Sequence, residues 1–260
     1  MSDELAAVDE HTMLGKKIFF LFPSAVIQNT IIPELVQQEF EIYISKDSSA
    51  MLRGLKRYPD SVVFVNINDG MDTARWEGWI RSVLGSPETK AVSIGILTGT
   101  NDEELRKKYS AEIAVQCGFT VIKSDVTAAI RQILESLRVV EAKGRRKYLR
   151  ALLSNGATIN LPFNNTFVNG VIRDISTVGF SCVLDQDPGL AKNVLFQDIQ
   201  IKLQSQILKV EGIVLGSRQE EDGKYCYVIL FTQRVDPDTR ARIRRYIHQY
   251  YQAKMDDELK

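Results

Sequence analysis

The sequence predicts two domains in series: an α/β domain built on a parallel sheet, then an antiparallel β-barrel with a C-terminal helix. Three observations lead there. Between residues 16 and 140, five short apolar runs alternate with stretches whose apolar residues recur at helical spacing. After residue 143 the chain becomes a series of β-branched and aromatic segments separated by turn residues. A glycine and a cluster of basic residues, Gly144 to Arg150, stand between the two regimes. A length of 260 residues suits two domains of ordinary size.

Composition narrows the function. Lys plus Arg and Asp plus Glu number 33 each, so no global field favours nucleic acid or an acidic membrane surface, and electrostatic work must be local. Neither a nucleic-acid partner nor membrane insertion is expected. Cys117, Cys182 and Cys226 are too few and too far apart for a disulfide framework or a metal site, which favours a reducing compartment. No apolar run reaches the roughly 18–20 residues needed to span a bilayer, and the acidic start Met1 to Leu5 lacks a signal-peptide core. A cytoplasmic location is expected.

Residues 1–14, including His11, read as a flexible arm. Residues 15–143 read as the α/β domain. Its first strand is Lys16 to Phe22, ended by Pro23-Ser24. Ile27, Ile31, Leu35 and Val36 follow at helical spacing, with Pro33 requiring a kink or a break. Glu41 to Ser45 is the second strand. Asp47 or Ser48 caps a helix carrying Met51, Leu52 and Leu55. Ser61 to Asn68 is the third strand, and Trp76, Trp79, Ile80, Val83 and Leu84 mark the next helix. Ala91 to Leu97 is the fourth strand, followed by a helix over Asp102 to Tyr109. Phe119 to Lys123 is the fifth. Asp125 caps a long helix with Val126, Ile130, Ile133, Leu134, Leu137 and Val140 along one face.

This order resembles the receiver domain of two-component response regulators, a flavodoxin-like fold, over residues 16–140. Receivers need an acidic pair after the first strand and a phosphoacceptor aspartate at the end of the third. Here Phe22-Pro23-Ser24 follows the first strand, and the third ends Asn66-Ile67-Asn68. Asparagine is no carboxylate nucleophile, and Asp69 alone has little to hold a metal with. Thr98 and Lys123 do stand at the ends of strands four and five, as in receivers. The resemblance therefore implies a pseudo-receiver, with the fold kept and the phosphoacceptor chemistry lost.

Residues 144–252 read as the barrel domain and 253–260 as a tail. Leu149 to Leu161 contains Asn155-Gly156, which marks either a hairpin turn between two strands or a bulge in one long strand. Phe167 to Ser176, Gly179 to Leu184, Asp198 to Gln204, Gln206 to Leu215 and Tyr225 to Phe231 are further strands, with turns at Asp187-Pro188-Gly189 and Glu221-Asp222-Gly223. Pro237 opens a helix whose apolar stripe is Ile243, Tyr246, Ile247, Tyr250 and Tyr251. Its arginines at 240, 242, 244 and 245 read as a solvated face.

One stretch carries chemistry. Arg145, Arg146 and Arg150 offer planar guanidinium forks that bridge phosphate oxygens, read guanine O6 and N7, or stack on a base. Asp174 and Ser176 lie two residues apart, so on a strand they share a face. Aspartate accepts from guanine N1–H and N2–H, and serine donates or accepts. Gly179 permits a tight turn or a close backbone approach. Arg146-x-x-x-Arg150 followed by Asp174-x-Ser176-x-x-Gly179 resembles the paired signature of PilZ domains, which bind the second messenger cyclic di-GMP. The order of barrel, then helix, fits that family.

The resemblance implies a bacterial cyclic di-GMP effector and not an enzyme, with no metal or other cofactor. Arg145, Arg146 and Arg150 would clamp phosphates and guanine edges, while Asp174, Ser176 and Gly179 line the barrel face. Binding at the linker would reorient the domains for a protein partner, with flagellar, motility or surface machinery as the family's outputs. Two other readings stay open: a ligand-independent adaptor, and a response regulator phosphorylated at Asp69.

Overall fold

A computed structural model describes residues 15–123, 125–154 and 156–260. The expected arm at 1–14, His11 and Asn155 lie outside the described residues. The chain divides into two compact units, one of Met1–Lys147 with Tyr251–Lys260 and one of Tyr148–Tyr250.

The first unit is a five-stranded parallel sheet. Its strands are β1 (Lys17–Leu21), β2 (Ile42–Ser45), β3 (Ser61–Asn66), β4 (Ser93–Thr98) and β5 (Phe119–Val121), in the order β2-β1-β3-β4-β5. Helices separate them: α1 (Ile27–Ile31 running into Ile32–Gln37), α2 (Ser48–Arg57), α3 (Thr73–Gly85), α4 (Glu103–Lys107 running into Lys108–Glu112) and α5 (Val126–Val139). This is the architecture of a receiver-like domain.

The apolar strand runs are continuous because both faces are covered. Phe19, Leu21, Val63 and Val65 face a core shared with Met51, Leu55, Trp76, Ile80 and Tyr109 of α2, α3 and α4. Ile18, Phe20, Val62 and Phe64 face the opposite core, with Ile27, Ile31, Leu35, Ile133 and Leu137 of α1 and α5. The Asp47, Asp72, Asp102 and Asp125 carboxylates cap α2 to α5 by accepting first-turn backbone N–H bonds.

Pro33 is accommodated without a break. A π-helical turn, with Ile32 N–H donating to Ile27 O, precedes the α-segment, and Pro33 then sits in that segment's first turn. There its missing N–H costs little.

The second unit is an antiparallel barrel. Its strands are β6 (Arg150–Leu152), β7 (Ala157–Phe163), β8 (Thr166–Ser176), β9 (Gly179–Leu184), β10 (Leu195–Leu203), β11 (Gln206–Gln219) and β12 (Tyr225–Phe231). The order β8-β7-β10-β11-β12-β9 closes through β8–β9 pairing into six strands, and β6 adds to β8. Closure leaves no open edge among the six.

β6 and β7 are not the two arms of one hairpin, because both pair with β8. Asn155 lies outside the described residues, and Gly156 takes φ +85°. The hairpin turn lies further on, at Asn164-Asn165. Both residues have positive φ (49° and 60°), the backbone of a type I′ turn.

The helix α6 spans Pro237–Glu258. Within the second unit, Ile243, Tyr246 and Ile247 are buried, and the Tyr250 hydroxyl donates to Leu152 O of β6. The arginines are not a uniformly solvated face. Arg240, Arg242 and Arg244 are half-buried and only Arg245 is exposed. Arg240 donates to three backbone carbonyls, and Arg242 Nε donates to Gln206 Oε1 at 3.3 Å.

Residues 253–258, expected as tail, continue the helix, and Met255 is buried in the first unit's core. There Gln252 behaves like a strand partner to the sheet edge. Its Oε1 accepts from Ile44 N–H at 2.8 Å and its Nε2 donates to Ile44 O at 3.0 Å. Among the described residues, no helix is long and apolar enough to cross a membrane.

Candidate ligand-binding site

Arg150, from the first half of the sequence signature, meets Asp174, Ser176 and Gly179 of the second half across β6, β8 and β9. Arg150 opens β6 and lies opposite Ser176 of β8. Ser176 in turn lies opposite Gly179 of β9, so Thr177 and Val178 form a two-residue turn. The half-exposed Arg150 guanidinium pairs with the buried Asp174 carboxylate, Nη1 to Oδ1 at 3.3 Å. The other Asp174 oxygen accepts from the Ser181 hydroxyl. Ser176 is buried and holds its own turn: its hydroxyl donates to Gly179 O at 3.0 Å and accepts from Val178 N–H at 3.4 Å.

Gly179 is required by packing and not by a left-handed backbone. A Cβ there would stand 2.4 Å from Ile229 O and 3.1 Å from Leu230 Cα, both on β12. The β9–β12 seam closes this tightly only around a bare Cα.

Arg145 and Arg146 fall within the first unit, just past a segment pinned to it. Lys16 N–H donates to Ala142 O at 2.9 Å, and Gly15 bridges Lys143. The Lys143 ammonium donates to Gln38 O and lies 5.1 Å from the Phe40 ring centroid. Gly15, at φ +89°, is needed here, because a Cβ would sit 2.4 Å from Gly144 N. Arg145 lines a groove of about 740 Å³ with Phe40, Leu134, Leu137 and Lys143.

The arrangement suits recognition better than covalent chemistry. Cys182 on β9 follows Ser181, the residue opposite Asp174 in the strand register. Burial first, then the charges of Cys226 and Asp174, push its thiol well up, which keeps it protonated and unreactive. What the site offers is an oriented carboxylate beside a half-exposed guanidinium.

Sequence reasoning did not single out Ser181 or Arg240. Ser181 was within reach: once 176 pairs with 179 across a two-residue turn, 174 must pair with 181.

Among the described residues, the strand ends of the first unit bring together no acidic cluster of the kind that holds a metal ion. Asn66 Nδ2 donates to Phe22 O at 2.8 Å and to Asp69 Oδ2 at 2.7 Å, so the nearest carboxylate is tied to an amide. Phe22, at φ +51°, stacks edge-on against Trp76, and a Cβ on Gly70 would touch its ring. The buried Thr98 hydroxyl serves its own loop at Thr100, and Lys123 is exposed. Incubation with acetyl phosphate and magnesium is expected to leave the intact mass unchanged. A stable adduct at Asp69 would restore the phosphoacceptor reading.

Residues 144–249 match the PilZ domain family. Residues 144–249 are a PilZ domain. A search of curated proteins finds no match. Among solved structures, the PilZ domain with c-di-GMP of YcgR from Escherichia coli is 15% identical, with a TM-score of 0.37 over 44% of this chain and 97% of that one. MotI/DgrA, the inhibitor of motility from Bacillus subtilis, is 14% identical, with a TM-score of 0.38 over 42% of this chain and 52% of that one. The chemotaxis response regulator CheY4 of Vibrio cholerae is 18% identical, with a TM-score of 0.39 over 48% of this chain and 98% of that one. The match spans about half the length of MotI and of the longer YcgR structure.

Proposed function

We propose that this protein is a cyclic di-GMP effector, with Arg145, Arg146, Arg150, Asp174, Ser176 and Gly179 as its ligand residues. The observation that carries the reading is the meeting of Arg150 with Asp174, Ser176 and Gly179. Arg150 from one half of the PilZ signature stands beside Asp174, Ser176 and Gly179 from the other, at one turn. Arg145, Arg146 and Arg150 hold phosphates and guanine edges through bidentate contacts. The Asp174 carboxylate, oriented by Ser181, accepts from guanine once Arg150 turns to the ligand.

Magnitudes favour a linker that orders as the ligand binds. A charged hydrogen-bonded contact contributes about 1.5–3 kcal/mol, so three arginines contribute about 4.5–9 kcal/mol. Ordering the stretch from Arg145 to Arg150 costs about 1–2 kcal/mol per residue. The two nearly cancel, so base stacking and barrel contacts supply the net affinity, and occupancy is coupled to linker order. The output is a changed geometry between the domains, read by a protein partner of flagellar, motility or surface machinery. Calorimetric titration of the folded full chain with cyclic di-GMP tests the reading. Saturable heat is expected, and its absence overturns it.

A further inference from the structure

Arg240 lies outside both halves of the signature, in the first turn of α6. Its guanidinium donates to three backbone carbonyls: Nη1 to Thr177 O at 2.7 Å, Nη2 to Thr232 O at 2.7 Å, and Nε to Val235 O at 3.3 Å. Thr177 is the first residue of the turn between Ser176 and Gly179, and it is buried. Val178, the second, accepts from Phe231 N–H of β12 at 2.9 Å. Both turn carbonyls are therefore held, one by the end of β12 and one by α6. The start of α6 is itself fixed, because Asp236 accepts from the Thr239 N–H at 2.8 Å and from its hydroxyl at 2.7 Å.

We infer that Arg240 is a positioning residue for the cyclic di-GMP site, an inference that rests on the function proposed above. By fixing the Thr177 carbonyl it fixes the turn, and with it the Ser176 hydroxyl and the Asp174 face of β8. The planar guanidinium is suited to this task. Its five donors lie in one rigid fork and satisfy three carbonyls in different directions, which the compact ammonium of lysine does not do. The contact also ties the ligand turn to the first turn of α6. Pre-ordering the turn removes an entropic cost from binding, so its loss reads out as affinity.

The test uses the full chain. Arg240→Met is compared with Arg242→Met, which removes a half-buried arginine of the same helix that bonds Gln206 and not the turn. Cyclic di-GMP affinity is measured by calorimetry on folded protein, and stability by thermal denaturation of the same samples. Arg240→Met is expected to weaken binding about tenfold, while Arg242→Met leaves affinity within about twofold. A purely structural role would lower the melting temperature of Arg240→Met and leave the affinity of its folded form unchanged, and that result overturns the inference. Should Arg240→Met fail to fold, Arg240→Lys decides. It keeps the charge but not the fork, an intermediate loss of affinity is expected, and wild-type affinity overturns the inference. Absence of heat with the wild-type protein overturns the site reading itself. A wild-type response that Arg240→Met and Arg240→Lys both retain in full overturns this inference alone.

Discussion

Arg146→Ala or Arg150→Ala is expected to weaken cyclic di-GMP binding by more than about tenfold, read by calorimetric titration. Tenfold corresponds to about 1.4 kcal/mol, and each substitution removes a charged contact of about 1.5–3 kcal/mol. The two variants should differ in stability. Arg150→Ala removes the guanidinium from the buried Asp174 carboxylate and leaves the Ser181 hydroxyl donating to it. Some loss of melting temperature is therefore expected with it. Arg150→Lys separates the two effects. It restores a cation beside Asp174, and so most of the stability, but presents no bidentate fork, so affinity stays low. Binding by Arg150→Ala at wild-type affinity would remove Arg150 from the site.

Gly179→Ala is expected to destabilise the barrel by about 1–3 kcal/mol, the usual cost of forcing a methyl group into a packed position. The methyl would meet Ile229 O at 2.4 Å and Leu230 Cα at 3.1 Å. Neither is the end of a flexible side chain, so β9 must move away from β12. That movement displaces the turn carrying Ser176, and ligand heat should fall with stability. Gly216→Ala is the control. Gly216 lies at the irregular pairing of β11 with β12, and a Cβ there meets nothing within 4 Å. That substitution is expected to leave the melting temperature and the titration unchanged. Thermal denaturation and calorimetry on the same preparations check both. Equal stability of the two variants would mean that the β9–β12 seam is not tightly closed.

Much of the fold was legible because periodicity reports burial. The strands of the first unit are apolar on both faces because helices cover both, and that produces uninterrupted runs such as Lys16 to Phe22. The caps at Asp47 and Asp125 were legible for a local reason: a carboxylate one position before a helix meets N–H groups two and three residues on. Asn155-Gly156 shows the limit of local signals. Gly156 does take positive φ, but whether β6 and β7 form a hairpin depends on which strand lies alongside, and both pair with β8. Pro33 is similar, since the sequence required a disruption and the π-helical turn supplied its form.

The sequence by itself determined the two-part architecture and the identity of the six proposed ligand residues. Both rest on local chemistry: alternation, capping, turn composition, and the fork-shaped and acidic groups that a guanine nucleotide needs. Only the tertiary structure decided what holds those groups. It paired Asp174 with Arg150 and Ser181, bound the Thr177 carbonyl to Arg240, and pressed β12 against Gly179. These contacts join residues up to 63 positions apart, as with Arg240 and Thr177. Strand register and helix placement create such contacts, and no spacing along the chain announces them.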